Sequence, residues 1–149
     1  MSPKFYVLAD GGSRGNPGPA AYGAVVIHVE TKLVIAERAG HLGIATNNVA
    51  EYSGLIAGLN VVKQVEPLAQ IEVRLDSKLV VEQMSGRWKI KHPDMRELAM
   101  IANKILSPSQ ITYTWVPREL NTLADALCNE SLDAVERGLS GEIVRDYPL

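Results

Sequence analysis

Apolar and polar residues alternate in several runs along the first 40 residues. Runs rich in β-branched and aromatic side chains predict strands at residues 4–10, 22–28 and 33–40. Four residues separate the second run from the third, a length typical of an antiparallel hairpin. Residues 11–20 contain four glycines and two prolines, which predict a loop that turns repeatedly. We therefore predict that the chain opens as a three-stranded antiparallel meander.

After residue 48 the apolar residues recur at intervals of three and four, the period of one buried helical face. The later patterns predict a strand, two helices, a second strand and a last helix, at residues 71–75, 77–84, 95–106, 111–117 and 122–137. Helical crossovers place successive strands parallel to each other in one sheet. The order therefore predicts an α/β fold with a mixed five-stranded sheet, in which two parallel strands follow the meander and helices cover both faces.

The composition fits one domain. The chain has 149 residues, and we assign residues 1–149 to a single domain on which the apolar tail, residues 139–149, packs. Its one cysteine cannot form an internal disulfide, so a reducing cytoplasm is the expected location. The apolar run near residue 5 is too short for a signal peptide or a membrane span, and we expect no membrane contact. A net charge of −2 argues against a protein that coats nucleic acid.

Four acids lie at the boundaries of predicted elements: Asp10, Glu51, Asp76 and Asp125. If the first and fourth strands are parallel neighbours, about 4.8 Å apart, Asp10 and Asp76 repel each other unless a cation lies between them. Oxygen ligands of this kind suit Mg²⁺ or Mn²⁺. Each acid alone also has a simpler explanation. Asp10 fits a turn and Asp76 fits a helix N-cap. The other two fit the first turn of a helix, where a negative charge interacts favourably with the helix dipole.

Four segments together resemble the motifs of type 1 ribonuclease H. They are residues 6–20 (YVLADGGSRGNPGPA), 46–51 (TNNVAE), 76–78 (DSK) and 115–125 (WVPRELNTLAD). The resemblance covers residues 4 to about 138, and the form of the fourth segment is most similar to archaeal and some bacterial members. The order of elements deduced above is also the order in that family.

The resemblance implies that the four acids are the catalytic carboxylates of an endonuclease. Such an enzyme binds two Mg²⁺ or Mn²⁺ ions and hydrolyses the RNA strand of an RNA/DNA hybrid to 5′-phosphate and 3′-hydroxyl ends. Asp10 would bridge both ions, Asp76 and Asp125 would hold the ion with the attacking water, and Glu51 would lie on the leaving-group side. We expect a monomer. Double-stranded RNA is a second candidate substrate. There are two alternative functions: a catalytically inactive module that binds hybrid or double-stranded RNA, and another nuclease of the same superfold.

The resemblance also implies a set of substrate contacts. The 2′-hydroxyl distinguishes RNA from DNA, and glycine lets the backbone approach the ribose because it has no side chain. Asn16 and Asn47 also fit a turn and a helix N-cap, respectively. The implied contacts with the hybrid are Gly11, Gly12, Ser13, Asn16, Thr46, Asn47 and Asn48.

The chain departs from the common family pattern at two places. Lys78 stands where many members have glutamine, and we expect it to contact a phosphate. No histidine lies between Trp115 and Asp125, although many members carry a mobile one there. We hypothesise that Arg118 takes over part of that role and count it as catalytic, with a surface ion pair as the alternative.

A basic run lies in residues 77–92, directly after Asp76. It holds four basic residues against one acid and includes Arg87, Trp88 and Lys89. A simpler explanation is a solvated face with Trp88 in the core. We predict instead a nucleic-acid-binding edge, because the run begins beside the predicted site.

Overall fold

The computed structural model describes residues 2–149, which form one six-stranded mixed sheet flanked by helices. The strands are β1 (Phe5–Ser13), β2 (Gly18–His28), β3 (Val34–Ala45), β4 (Ile71–Leu75), β5 (Ile111–Trp115) and β6 (Ile143–Asp146). The α-helices are α1 (Asn47–Val65), α2 (Lys78–Met84), α3 (Pro93–Ile105) and α4 (Thr122–Glu136). Short 3-10 turns lie at Pro108–Gln110 and Arg118–Leu120.

The sheet has the order β5-β4-β1-β2-β3-β6. Strands β1, β2 and β3 pair antiparallel as a meander, whereas β4 and β5 run parallel to β1. Parallel pairing requires a crossover, which α1 supplies before β4 and α2 with α3 before β5. The predicted mixed sheet and the predicted order of elements up to α4 are confirmed.

Helices pack on both faces of the sheet, as predicted, and β1 contributes to both cores. Phe5 and Val7 point into the larger core with α1 and α3, and Leu8 points into a second core with α4. Strand alternation therefore places Asp10 on the same face as Leu8, toward α4. The start of α4 and the end of β1 are thereby brought together.

The predicted loop at residues 11–20 is wrong, because most of it is strand. β1 continues through Ser13 and β2 begins at Gly18, so only residues 14–17 form the turn. Gly11 serves a close approach of the helix to the sheet. A Cβ there would lie 2.1 Å from the carbonyl carbon of Ala50 in α1, so any side chain would push the helix away from the strand.

The sixth strand was not predicted. Ile143–Asp146 pairs antiparallel with residues 36–39 of β3 and extends the sheet at that edge. The strand is only four residues long and mostly exposed, so it has too little hydrophobic alternation for recognition from sequence. Among the helices of residues 2–149, none is long and apolar enough to cross a membrane.

Candidate active site

The register of the parallel strands places two of the predicted acids next to each other. Ala9 of β1 pairs with Leu75 of β4, so Asp10 and Asp76 are the next residues on adjacent strands. Asp10 is buried, with 7% of its surface exposed, and Asp76 is half-buried at the start of the turn that leads into α2. Ser77, not Asp76, caps that helix by accepting a hydrogen bond from the Val80 amide.

Helix α1 brings the third acid to the pair. Thr46 caps the helix, so Glu51 lies beyond the first turn. The simpler explanation, that Glu51 interacts with the helix dipole from the first turn, is therefore wrong. Gly54 packs so closely on β1 that a Cβ would lie 2.7 Å from the carbonyl oxygen of Asp10. One carboxylate oxygen from each of Asp10, Glu51 and Asp76 lies within 4.8 Å of the other two.

The fourth acid lies beside this group but not within it. Asp125 is in the first turn of α4, close enough to Asp10 to help raise the pKa of the Asp10 carboxyl. All four acids line one open cleft of about 500 Å³. The cleft is also lined by Gly11, Gly12, Ser13, Arg14, Asn47, Arg118, Cys128, Asn129 and Leu132.

Burial raises the pKa of each of the three grouped acids, and the charge of a neighbouring acid raises it further. Burial is the largest cause for Asp10, whose pKa rises from 3.8 to about 7, with the charge of Asp76 next and the Gly11 amide opposing. Burial, followed by the charges of Asp10 and Asp76, raises the pKa of Glu51 well above its ordinary value. Burial also raises the pKa of Asp76, against a hydrogen bond from Asn121 and the charge of Arg118.

These carboxylates form a site that fits a divalent cation. All the donors are carboxylate oxygens, which suit hard ions, and three of them converge within 4.8 Å of one another. The Glu51 oxygen Oε2 is buried and has no hydrogen-bond partner among residues 2–149. A cation at this point would satisfy that oxygen and remove the repulsion that raises the pKa values.

The predicted substrate residues of the first two segments meet at the rim of the cleft. The amide and hydroxyl of Ser13 donate to Oδ1 of Asn47, at 2.8 and 3.0 Å, and the Asn47 amide donates to Oδ1 of Asn16 at 3.1 Å. Asn47 is not the N-cap, since Thr46 has that place. Asn48 follows, half-buried, on the first turn of α1. These bonds fix the turn at residues 14–17 against the start of the helix.

The predicted basic residues lie outside the cleft. Arg87 is paired with Glu82 at 2.5 Å, and the Lys78 ammonium lies 4.0 Å from the same carboxylate. Lys89 is exposed, and Trp88 is 46% exposed, so the alternative that Trp88 is a core residue is wrong. Arg118 differs from these, because it lies at the cleft and its charge reaches Glu51 and Asp76.

The fold brings three further polar residues to the carboxylates, and none of them was predicted from the sequence. Asn121 is fully buried beside Asp76, and Cys128 and Asn129 line the cleft from α4. Burial raises the pKa of the Cys128 thiol to about 12, so this side chain is uncharged at neutral pH. Asn121 lies within the fourth segment, four residues before Asp125. The residues after it recur with the helical period, and this is a signal that could have marked it as the N-cap of α4.

Comparisons with known proteins agree with this geometry. The sequence model of a family described as reverse transcriptase-like matches residues 8–131. A bifunctional protein of Mycobacterium tuberculosis is 51% identical over 140 residues, which cover 93% of this chain and 38% of that protein. The structure of its N-terminal RNase H domain superposes with a TM-score of 0.84 at 53% identity, covering 92% of this chain and 99% of that one. This chain thus spans well under half the length of the mycobacterial relative.

Two further structures are similar over most of their length. RNase H1 of the archaeon Halobacterium salinarum has a TM-score of 0.80 at 42% identity, covering 87% of this chain and 97% of that one. LC11-RNase H1 in complex with an RNA/DNA hybrid has a TM-score of 0.82 at 37% identity, covering 89% of this chain and 99% of that one. With the sheet order, the grouped acids and these matches in agreement, the chain belongs to the type 1 ribonuclease H family.

Proposed function

We propose that this domain is an endonuclease that hydrolyses the RNA strand of RNA/DNA hybrids and leaves 5′-phosphate and 3′-hydroxyl ends. The observation that carries the proposal is the convergence of Asp10, Glu51 and Asp76, with one oxygen of each within 4.8 Å of the others. The similarity to a relative whose structure contains an RNA/DNA hybrid supports the substrate class. All four acids come from one chain, which supports action as a monomer.

Asp10, Glu51, Asp76 and Asp125 would hold Mg²⁺ or Mn²⁺, because oxygen donors select such ions over zinc. The chemistry that bound cations supply in such a site is a lowered pKa of the attacking water and stabilisation of the charge on the departing 3′ oxygen. The chain itself holds the four carboxylates in fixed places. Burial keeps water from screening them, which strengthens their attraction for a cation.

The remaining residues of the cleft would bind and orient the hybrid. Gly11 and Gly12 leave the end of β1 free of side chains, so backbone groups can approach a ribose and test its 2′-hydroxyl. Asn16 and Asn47 hold the neighbouring turn in place, and Thr46 at the N-cap of α1 and Asn48 in its first turn would contact the hybrid beside them.

The cationic residues would act on the phosphates. Arg118 is exposed at the mouth of the cleft, where its guanidinium can donate to the scissile phosphate. Lys78, Arg87 and Lys89 would bind phosphates farther along the duplex. In the isolated protein Arg87 is paired with Glu82, so binding there requires exchange of a carboxylate for a phosphate.

The proposal is tested with RNA/DNA, RNA/RNA and DNA/DNA duplexes of one sequence, each labelled on one strand, in Mg²⁺, Mn²⁺ or EDTA. We expect cleavage of the RNA strand of the hybrid with either metal and none in EDTA. Cleavage of DNA, or cleavage that persists in EDTA, would overturn the proposal. Binding of hybrid without cleavage would instead identify a silent binding module, and cleavage of RNA/RNA would add double-stranded RNA to the substrates. Asp10→Asn, tested alongside, excludes a contaminating nuclease.

A further inference from the structure

Asn121 occupies an unusual position behind the carboxylates. It lies between the 3-10 turn Arg118–Leu120 and α4 and is completely buried. Its side-chain Nδ2 donates a hydrogen bond of 2.8 Å to the carbonyl oxygen of Ala9. Ala9 directly precedes Asp10, so this bond fixes the backbone from which the Asp10 side chain projects.

Asn121 is the N-cap residue of α4 but does not cap it with its side chain. An asparagine at an N-cap ordinarily accepts a hydrogen bond from a backbone amide two or three residues later. Here the side chain turns away from the helix into the protein, and its Oδ1 is buried without a partner among the described residues. The helix therefore gives up a stabilising contact so that the amide group can be used elsewhere.

The same residue also bonds to Asp125 and lies near Asp76. Its side chain also lies close enough to Asp76 to lower the pKa of that carboxyl. Its backbone carbonyl accepts a hydrogen bond of 3.1 Å from the amide of Asp125. Three segments that are distant in sequence thus carry their acids at positions set by one buried side chain and its backbone.

We propose that Asn121 is a positioning residue that sets the spacing of Asp10, Asp76 and Asp125 for divalent cation binding and catalysis. This inference rests on the proposed function for its catalytic part. An amide donor is suited to the role, because it donates to a backbone carbonyl beside the acids without adding a charge to a crowded acidic site. Residues behind metal ligands act in this way by fixing the orientation of the ligands.

Two variants separate positioning from folding. Asn121→Ser keeps a good N-cap residue but is too short to reach the Ala9 carbonyl, so it removes the positioning bonds while offering α4 a capping hydroxyl. Asn121→Asp keeps the size of the side chain but replaces the donor with a further carboxylate. Asn60→Ser is the matched control, because Asn60 is exposed on α1 and lies outside the cleft.

The experiment measures the Mn²⁺ affinity by electron paramagnetic resonance without nucleic acid, and kcat and KM on hybrid. These measurements are made at a temperature well below the thermal midpoints of all variants, which are determined separately. We expect both Asn121 variants to lose about 10- to 100-fold in Mn²⁺ affinity and in kcat. We expect KM to change less than about twofold, because the hybrid contacts are elsewhere, and Asn60→Ser to behave as wild type.

Several results would overturn the inference. The first is that Mn²⁺ affinity and kcat in both variants equal those of wild type. The second is that the losses of Mn²⁺ affinity and kcat are explained entirely by a lower thermal midpoint. The third is that the wild-type protein binds no Mn²⁺ at millimolar concentration. A wild-type protein that binds Mn²⁺ but cleaves no hybrid would refute the proposed function alone. In that case the Mn²⁺ affinities of the variants still decide whether Asn121 positions the acids.

Discussion

Two groups of acids in this domain are treated in opposite ways. On the exposed face of α4, Asp133 and Glu136 both pair with Arg14, at 2.7 and 2.5 Å. In the cleft, burial raises the pKa of both Asp10 and Glu51, and the charge of Asp76 raises both further. The exposed acids, whose charges water already screens, are paired with an arginine. The buried acids of the cleft repel each other, although burial makes that repulsion more costly. Acids kept in this state are arranged for a cation from outside.

The largest expected effect is that of Asp10→Asn. Loss of this carboxylate removes a metal ligand, and we expect hybrid cleavage to fall by about 1000-fold or more. The same change removes a buried charge that Asp76 and Glu51 repel. We therefore expect the metal-free variant to have a higher thermal midpoint than wild type at pH 8. Initial rates with Mg²⁺ and thermal unfolding in EDTA measure the two effects, and an unchanged rate would contradict the assigned role.

A second prediction concerns how pH changes the stability of the metal-free domain. The pKa of Asp10 rises from 3.8 to about 7 on folding, so between these values the folded state binds more protons than the unfolded state. The free energy of unfolding therefore decreases as pH rises through this window.

Bound metal should remove that cost, because a cation favours the charged carboxylates. We expect the rise in thermal midpoint on adding Mg²⁺ to be larger at pH 8 than at pH 5. Unfolding scans at both pH values, with Mg²⁺ or EDTA, measure it. A metal effect that is equal at both would show that the acids do not repel each other as described.

Arg118→Ala should have a smaller effect. Loss of one charge-assisted hydrogen bond to the phosphate predicts a decrease in kcat of about tenfold. Because Arg118 opposes the rise in the pKa of Glu51 and of Asp76, its loss should also move the acidic limb of the pH–rate profile to higher pH. Steady-state rates across pH and Mg²⁺ concentration provide the test, with the exposed Arg137→Ala as control. Full turnover under all conditions would leave Arg118 a surface residue.

The smallest effect is expected for Asp133→Asn, the exposed counterpart of Asp10→Asn. Arg14 keeps Glu136 as a partner, and exposed ion pairs contribute little to stability. We expect the thermal midpoint to decrease by less than about 3 °C and hybrid cleavage to be unchanged. A change as large as that of Asp10→Asn would mean that exposure does not separate the two groups of acids.

The order of elements was predictable because periodicity marks long elements well. The end of β1 and the start of β2 were not predictable. A glycine in residues 11–18 can form a turn or can allow a helix to pack closely on a strand, and the sequence does not distinguish the two. Gly11 does the second, and only the position of Ala50 in α1 reveals it. Close packing between distant segments leaves no local signal.

The acids of the candidate site were identified from sequence because each lies at the boundary of an element and within a recognisable segment. Asn121 could not be assigned from the same information. Its position before α4 predicts a capping side chain, and only the carbonyl of Ala9, more than a hundred residues earlier in the chain, shows where that side chain is used instead. A local rule fails here because a tertiary contact outcompetes it.

Strand β6 has a consequence for how the domain behaves among copies of itself. It pairs with residues 36–39 of β3, the longest strand, which would otherwise present unpaired backbone groups at the sheet edge. An open edge of that length is a template for aggregation. At the other edge β5 has five residues and ends just before Val116-Pro117, so it offers a short template. Resistance to self-association thus depends partly on four residues at an edge three strands away from Asp10.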